Sequence, residues 1–353
     1  MAGPKVFVFA PADEDSLDRL EAAGCELLRG TAGWSSPQGN NEDELVDMAQ
    51  DAVALAGTTI RSACISRRVM QASDKLRIIA KYSVGHDDVD LDAADKLGML
   101  VTHAPTEANW GAVAEHAMAT MLALLKKLDQ RDRAVRTGRW REPALMATYL
   151  GRRDDGYAGI TIGIIGLGRI GGRVAKLLEP WRVRVIACDP YIDAQRFAEH
   201  GVEPVDLDTL LRESDFVSMH VTLTPETRHM ISHDQFRMMK PTAMLQNNSR
   251  GPVVEEAALA DALRDGRLAA AAIDVFEYEP LPADSPLRKL GDKALLTPHM
   301  SAGCLQGGLH EGCQWATDGI LEAMRGRLPQ HVVNPSAIEK WRTRFEGRSA
   351  FDD

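Results

Sequence analysis

A chain of 353 residues exceeds the roughly 250–300 residues at which single hydrophobic cores stop growing, so two domains are expected. Its 44% hydrophobic and 26% charged residues are the balance of a globular protein, and no apolar run reaches the ~18 residues of a membrane span. A net charge of −10 without any Lys/Arg block makes nucleic acid and anionic membranes poor partners, and an anionic substrate would need local cations to hold it.

The chain enters a strand-like run, Lys5–Ala10, without a basic leader, and no signal peptide is expected. Cys25, Cys64, Cys188, Cys304 and Cys313 are scattered and form no Cys-x-x-Cys pair. That argues against a disulfide framework or zinc site and for a reducing, cytoplasmic setting. Further strands are predicted at Thr59–Ser66, Leu76–Ser83 and Met99–Thr102. A second series follows at Ile160–Ile165, Val183–Cys188, Asp215–Val221, Ala243–Asn247, Ala269–Val275 and Ala294–Thr297. Continuous apolar strands separated by helices mark parallel sheets covered on both faces, an α/β doubly wound class. One long helix is expected from Ala112 to about Thr137, apolar almost all round between Val113 and Leu125 and therefore deeply buried at a domain or subunit interface. Gly138–Ala158 reads as loop.

Ile164-Ile165-Gly166-Leu167-Gly168-Arg169-Ile170-Gly171 is a G-x-G-x-x-G that directly follows an apolar strand and opens a helix. In that context Gly166 allows a tight turn, Gly168 lets the backbone approach a pyrophosphate, and Gly171 permits close helix–strand packing. The helix N-terminus then receives the phosphates. Asp189 ends the next strand 18 residues after Gly171, the spacing of an acid that binds adenosine ribose hydroxyls; a carboxylate there favours NAD over NADP. The competing reading makes Asp189-Pro190 a turn initiator.

Three polar segments follow later strands: Asn247-Asn248-Ser249-Arg250-Gly251, Asp274-Val275-Phe276-Glu277-Tyr278-Glu279-Pro280 and Thr297-Pro298-His299-Met300-Ser301. Ligands bind at the carboxyl ends of strands in open α/β sheets. An Arg that clamps a carboxylate, a His that passes a proton near neutral pH and a Glu that orients it make a set for carbonyl reduction.

With these motifs in this order, joined by His220-Val221-Thr222-Leu223-Thr224-Pro225-Glu226-Thr227, Ser83-Val84-Gly85-His86-Asp87-Asp88 and Val113-Ala114-Glu115-His116, the sequence resembles the D-isomer-specific 2-hydroxyacid dehydrogenase family over residues 55 to 325. The resemblance implies two Rossmann-like doubly wound parallel-sheet domains with an active-site cleft between them. Residues 1–104 and 304–353 would form a discontinuous substrate-binding domain, and 105–303 the NAD-binding domain. It implies hydride transfer between NAD and a small 2-oxo/2-hydroxy acid. His299 would be the acid/base, paired to Glu279, with Arg250 on the substrate carboxylate. Gly166, Gly168, Arg169, Ile170, Gly171, Asp189, Val221, Thr222, Thr227, Asn248, Ser249, Arg250, Asp274 and His299 would line the cofactor, Asp274 holding the nicotinamide carboxamide. Ser83, Val84 and Gly85 would meet the substrate, and a homodimer is implied. Thr222, Gln246, Cys304 and Trp110 depart from the family's usual residues and leave subfamily and substrate open.

Weaker features keep two readings. Lys81 either holds a second negative group on the substrate tail or pairs with a nearby acid such as Asp87. Arg61 either borders the substrate or closes its strand. His116 and His220 are read as structural, His86 has no assigned role, and Glu277 rivals Glu279. Asp87, Asp88 and Asp90 fit a turn entering a helix better than a metal site, and no metal is expected. The principal functional alternative is an NAD-sensing, non-catalytic regulatory scaffold. A second alternative is an adenosyl-methionine or adenosylhomocysteine enzyme; within the family, formate oxidation is disfavoured because that chemistry uses Gln where Glu279 stands, phosphite oxidation lacks the expected Lys at Val84, and phosphoglycerate oxidation stays open.

Overall fold

The computed structural model of the chain describes residues 3–33, 39–59, 63–305 and 307–352. Two compact units are present, one built from Met1–Asn109 and Gly303–Asp353, the other from Trp110–Ala302.

The first unit holds five parallel strands: β1 (Lys5–Val8), β2 (Glu26–Arg29), β3 (Ala52–Gly57), β4 (Ile78–Lys81) and β5 (Leu100–Thr102), in the order β2-β1-β3-β4-β5. The expected strand Thr59–Ser66 is not among them. Within it, residues 60–62 lie outside the described residues, Ile65 makes a single bridge to Val89, and Ser66 caps the helix Arg67–Met70. The strand is instead Ala52–Gly57, and every residue of it is buried. Its alanines carry little β-propensity, but a two-sided parallel strand is selected by burial, and small residues suit crowded ground. A Cβ on Gly57 would meet the Phe9 ring at 2.2 Å.

The C-terminal segment returns to this unit through helices Gly308–Met324 and Ile338–Phe345. Gly312 lets the first of them approach the end of β4, since a Cβ there would strike the Tyr82 carbonyl at 1.9 Å. Arg77, almost fully buried, donates to the carbonyls of Ala323, Met324 and Arg348, capping that helix at its negative end. The buried Trp341 donates its indole N–H to the Arg77 carbonyl at 3.1 Å.

The second unit holds seven parallel strands: β6 (Thr161–Ile165), β7 (Arg184–Cys188), β8 (Glu203–Pro204), β9 (Phe216–Met219), β10 (Met244–Asn247), β11 (Ala270–Ile273) and β12 (Ala294–Leu296). Their order is β12-β11-β10-β9-β6-β7-β8. The strand order reverses at β6, between β7 and β9, which is where doubly wound sheets open a crevice for ligands. The predicted single helix is two, Glu107–Leu125 and Leu128–Arg136, with Lys127 in the left-handed region at φ 54° between them. The two lysines at the break turn aside to loop carbonyls, Lys126 to Thr148 at 2.7 Å and Lys127 to Ala144 at 2.8 Å. Periodicity alone does not show this, because Lys is a good helix former. Val113, Ala114, Ala117, Met121 and Leu125 make the buried stripe of the first helix, while Met118, Leu122 and Leu124 are half-buried.

Candidate active site

The site is assembled from neighbouring strand ends of the second unit. After β6 the chain turns at Gly166, φ 88°, where a Cβ would meet the His220 carbonyl at 2.6 Å. Gly171 lies so close that a Cβ would strike the Gly166 carbonyl at 2.0 Å, whereas one on Gly168 would meet nothing within 4 Å. The helix Arg169–Leu178 begins here with no side-chain cap, so its first amides stay available to an anion. Asp189 follows β7. Its Oδ2 accepts the Leu167 amide at 2.9 Å and its Oδ1 the Tyr191 amide at 3.0 Å, which ties the glycine loop to β7. It is thus a turn former as well as an acid at the loop, and a carboxylate's four lone-pair sites leave capacity for hydroxyl donors. Val221 packs over Gly166, and Thr227 bonds back to the Thr222 carbonyl at 2.6 Å, shaping the turn after β9.

The candidate reactive groups follow β10, β11 and β12. Asn247, last in β10, donates to the Arg250 carbonyl at 2.8 Å and accepts from the Ser249 amide at 3.0 Å, fixing the segment that carries Arg250. Arg250 itself donates to the Ser249 carbonyl at 2.7 Å. His299 sits at φ 54°, a conformation that costs a non-glycine residue about 1–3 kcal/mol and clusters at functional sites. Asp274 holds it there. The carboxylate accepts from the Thr297 hydroxyl at 2.6 Å and from the amides of Met300 and Ser301, both at 3.0 Å. Burial works against the Asp274 anion, but these bonds outweigh it and lower the pKa. Imidazole Nδ1 of His299 lies 2.8 and 3.0 Å from the two Glu279 oxygens, and Glu279 Oε1 also accepts the Phe276 amide at 3.0 Å. A carboxylate only accepts, so Nδ1 carries the hydrogen and Nε2 is the atom whose protonation changes. Glu277 pairs instead with His229 at 2.9 Å.

A buried polar chain lies beneath, and sequence reading marked only its member Gln246 as unusual. Thr120 donates to Gln246 at 3.0 Å and Gln246 to Ser218 at 2.6 Å, and the Ser218 hydroxyl shares a hydrogen bond with His220 Nε2 at 2.6 Å. Burial pushes the His220 pKa down to about 4. Among the described residues, Nδ1 of His220 and both amide atoms of Asn248 are buried without a hydrogen-bond partner. Each such group costs about 1–3 kcal/mol unless it is met. They stand at the adjacent ends of β9 and β10, beside the glycine cradle, where a polar nicotinamide dinucleotide fits.

The family model for the D-isomer-specific 2-hydroxyacid dehydrogenase NAD-binding domain matches residues 118–301. The chain belongs to the D-isomer-specific 2-hydroxyacid dehydrogenase family. It is 37% identical to a glyoxylate reductase of Korarchaeum cryptofilum over 95% of this chain and 97% of that protein. It is equally 37% identical to a D-3-phosphoglycerate dehydrogenase of Archaeoglobus fulgidus, over 95% of this chain but only 60% of that longer protein. The solved D-lactate dehydrogenase of Aquifex aeolicus, complexed with NAD and lactic acid, superposes with a TM-score of 0.78 at 28% identity, covering 95% and 98% of the two chains. As a dehydrogenase of this family the protein uses NAD, and the second unit holds the family's NAD-binding domain.

The expected substrate segment lies in the first unit, just past β4. The Ser83 carbonyl accepts the Ala104 amide at 3.0 Å, and the Val84 carbonyl has Nδ1 of His86 at 3.2 Å and Nδ1 of His103 at 3.1 Å. No sequence signal singled out His103. Lys81, the last residue of β4, is engaged by an acid. It is fully buried, its ammonium bonded to Asp88 at 2.7 and 2.9 Å and to the Thr58 carbonyl at 2.5 Å. The ion-pair reading is the one the structure bears, with Asp88 in place of Asp87. Asp90 caps the helix Leu91–Leu97, and Arg61 lies outside the described residues.

Proposed function

We propose that the protein reduces a small 2-oxo acid to the D-2-hydroxy acid with NADH. The observation that carries this is the His299–Glu279 pair, held at an inflexible loop beside the Arg250 segment at the edge where the cofactor cradle opens. NADH, when bound, supplies the hydride. With Nδ1–H committed to Glu279, the imidazolium form of His299 offers a proton from Nε2 to the carbonyl oxygen, and the neutral form accepts one there in the reverse reaction. Glu279 orients the ring and stabilises its charged form. Arg250, whose segment is anchored through Asn247, takes the substrate carboxylate with its guanidinium. The amides of Val84 and Gly85 serve that carboxylate as well. Asn248, Ser249 and Asp274 serve the nicotinamide end, where Asp274 Oδ2 still has a lone pair for the carboxamide. Gly166, Gly168, Arg169, Ile170, Gly171, Asp189, Val221, Thr222 and Thr227 serve the remainder of the dinucleotide.

Occupation of Lys81 by Asp88 favours a short uncharged tail, as in glyoxylate, hydroxypyruvate or pyruvate. A homodimer is part of this proposal, supported by the exposed apolar set Leu128, Val135, Trp140 and Met146 beside the half-buried helix face. Equilibrium sedimentation of the wild type and Trp140→Asp tests it. For the reaction, NADH turnover is measured with a panel of 2-oxo acids. His299→Ala should cut kcat by ~10²–10⁴-fold, the range of general acid–base catalysis, while NADH binding survives. Arg250→Ala should damage both KM and kcat. Near-wild-type rates in either variant, or no turnover of any 2-oxo acid by the wild type, would overturn the reading and favour a non-catalytic NAD-sensing role.

A further inference from the structure

We propose that His86 and His103 are positioning residues that lock the Ser83–Gly85 segment as a preset receptor for the substrate carboxylate; this rests on the reaction proposed above. Both imidazoles direct Nδ1 at one atom, the Val84 carbonyl oxygen, at 3.2 and 3.1 Å. A carbonyl accepts only, so both rings carry their hydrogen on Nδ1. The rings meet edge to face, with centroids 5.7 Å apart and planes at 80°, so each fixes the other.

The consequence follows from peptide geometry. In a trans peptide the C=O and the next N–H point in opposite directions. Two donors on the Val84 carbonyl therefore fix the direction of the Gly85 N–H. One strand-end donor, the Ala104 amide on the Ser83 carbonyl at 3.0 Å, fixes the Val84 N–H in the same way. Among the described residues neither the Val84 nor the Gly85 amide has an acceptor. Hydrogen bonding at a carbonyl also polarises its own peptide, so donors on the oxygen strengthen the N–H opposite. The arrangement is two consecutive amides without acceptors among the described residues, their orientation settled before any anion arrives, just past β4. His103 is anchored in turn, its amide donating to the His331 carbonyl at 3.3 Å, so the C-terminal segment supports the same loop.

The role is distinguishable from packing. Asn reproduces the reach of Nδ1 with an amide donor, whereas Leu keeps bulk and removes it. Steady-state kinetics with glyoxylate should show the His86→Leu/His103→Leu variant with KM raised at least tenfold and kcat lowered less than threefold. The His86→Asn and His103→Asn single variants should stay within threefold of wild-type KM, and NADH affinity should not change. Hydrogen exchange across residues 83–86 should accelerate in the double Leu variant alone. Failure of the reaction proposal is a separate result, absence of turnover in the wild type. Calorimetric titration of the NADH complex with oxalate then decides, the double Leu variant binding it at least tenfold more weakly. A KM and an oxalate affinity within twofold of wild type in that variant, or Asn variants as impaired as Leu, would overturn the inference.

Discussion

Lys81 is the most consequential charge in the first unit, and its replacement tests whether the cation serves fold or substrate. The side chain is 0% exposed, and its three ammonium hydrogens face Asp88 at 2.7 and 2.9 Å and the Thr58 carbonyl at 2.5 Å. The Phe9 ring lies 5.1 Å away as a fourth neighbour. Lys81→Met keeps the stem's volume but leaves the Asp88 carboxylate buried without its cation. Breaking a buried pair from one side costs about 3–5 kcal/mol, and at 2–4 °C per kcal/mol for a unit of this size that is a fall in Tm of roughly 6–20 °C. Lys81→Met/Asp88→Leu removes both charges and should recover most of the loss, to within about 2 kcal/mol of wild type, since a buried pair gives little net stability over an apolar one. Thermal unfolding, with hydrogen exchange in Ile78–Lys81 as the local probe, measures each variant. A Lys81→Met variant within 1 kcal/mol of wild type would refute the argument. So would a loss of kcat/KM confined to substrates with an anionic tail, which would restore Lys81 as a substrate contact.

Cofactor choice should follow Asp189: wild type should prefer NADH strongly, and Asp189→Ala/Tyr191→Arg should move the preference toward NADPH, while equal use of both by the wild type would count against the assignment. His220, neutral in the fold with a pKa of about 4 against 6.5 when unfolded, takes up a proton only on unfolding between those values, so stability is lost as pH falls through that window. The loss should be about 2–3 kcal/mol by pH 4.5, and urea midpoints at pH 7 and 4.5 should show His220→Gln spared that part of it. Asp274 has the same sign in a lower window: its lowered pKa contributes stability present above the unfolded value near 3.8 and lost as pH falls below it. Asp274→Asn should accordingly weaken the fold at pH 5–8, where the Asp274 contribution is constant, and lower kcat about tenfold by loosening the His299 loop; an unaltered rate would assign the loop's rigidity elsewhere.

The glycine cradle and the strands around it were legible because each signal is local: a turn, a helix start and a strand end within eight residues. Ala52–Gly57 was not, since a buried strand made of small residues has no periodicity to read and its neighbour Thr59 carries the stronger β-propensity. The break at Lys126–Lys127 was hidden for a related reason. Its cause is a pair of loop carbonyls some twenty residues away, at Thr148 and Ala144. Among candidate site residues, Glu279 and His299 could be named from the family resemblance, but their geometry could not, because it depends on Asp274 gripping the loop from the next strand. His103 and Asp88 act through hydrogen bonds to other segments, at Val84 and Lys81, which no one-dimensional pattern encodes.

Those cases share a physical feature of the second unit. Three strands end in, or are followed at once by, a side chain that accepts backbone amides of a reactive loop: Asp189 from Leu167, Asn247 from Ser249, and Asp274 from Met300 and Ser301. A loop at the edge of a parallel sheet has amides that the ladder cannot satisfy, and short polar side chains at strand ends meet them without covering the face the ligands use. The groups assigned to chemistry, Arg250 and His299, each adjoin an anchored amide, Ser249 and Met300 respectively. Their positions are set by bonds that do not involve the reacting atoms, so the anchors can hold the geometry while the proton on His299 Nε2 comes and goes.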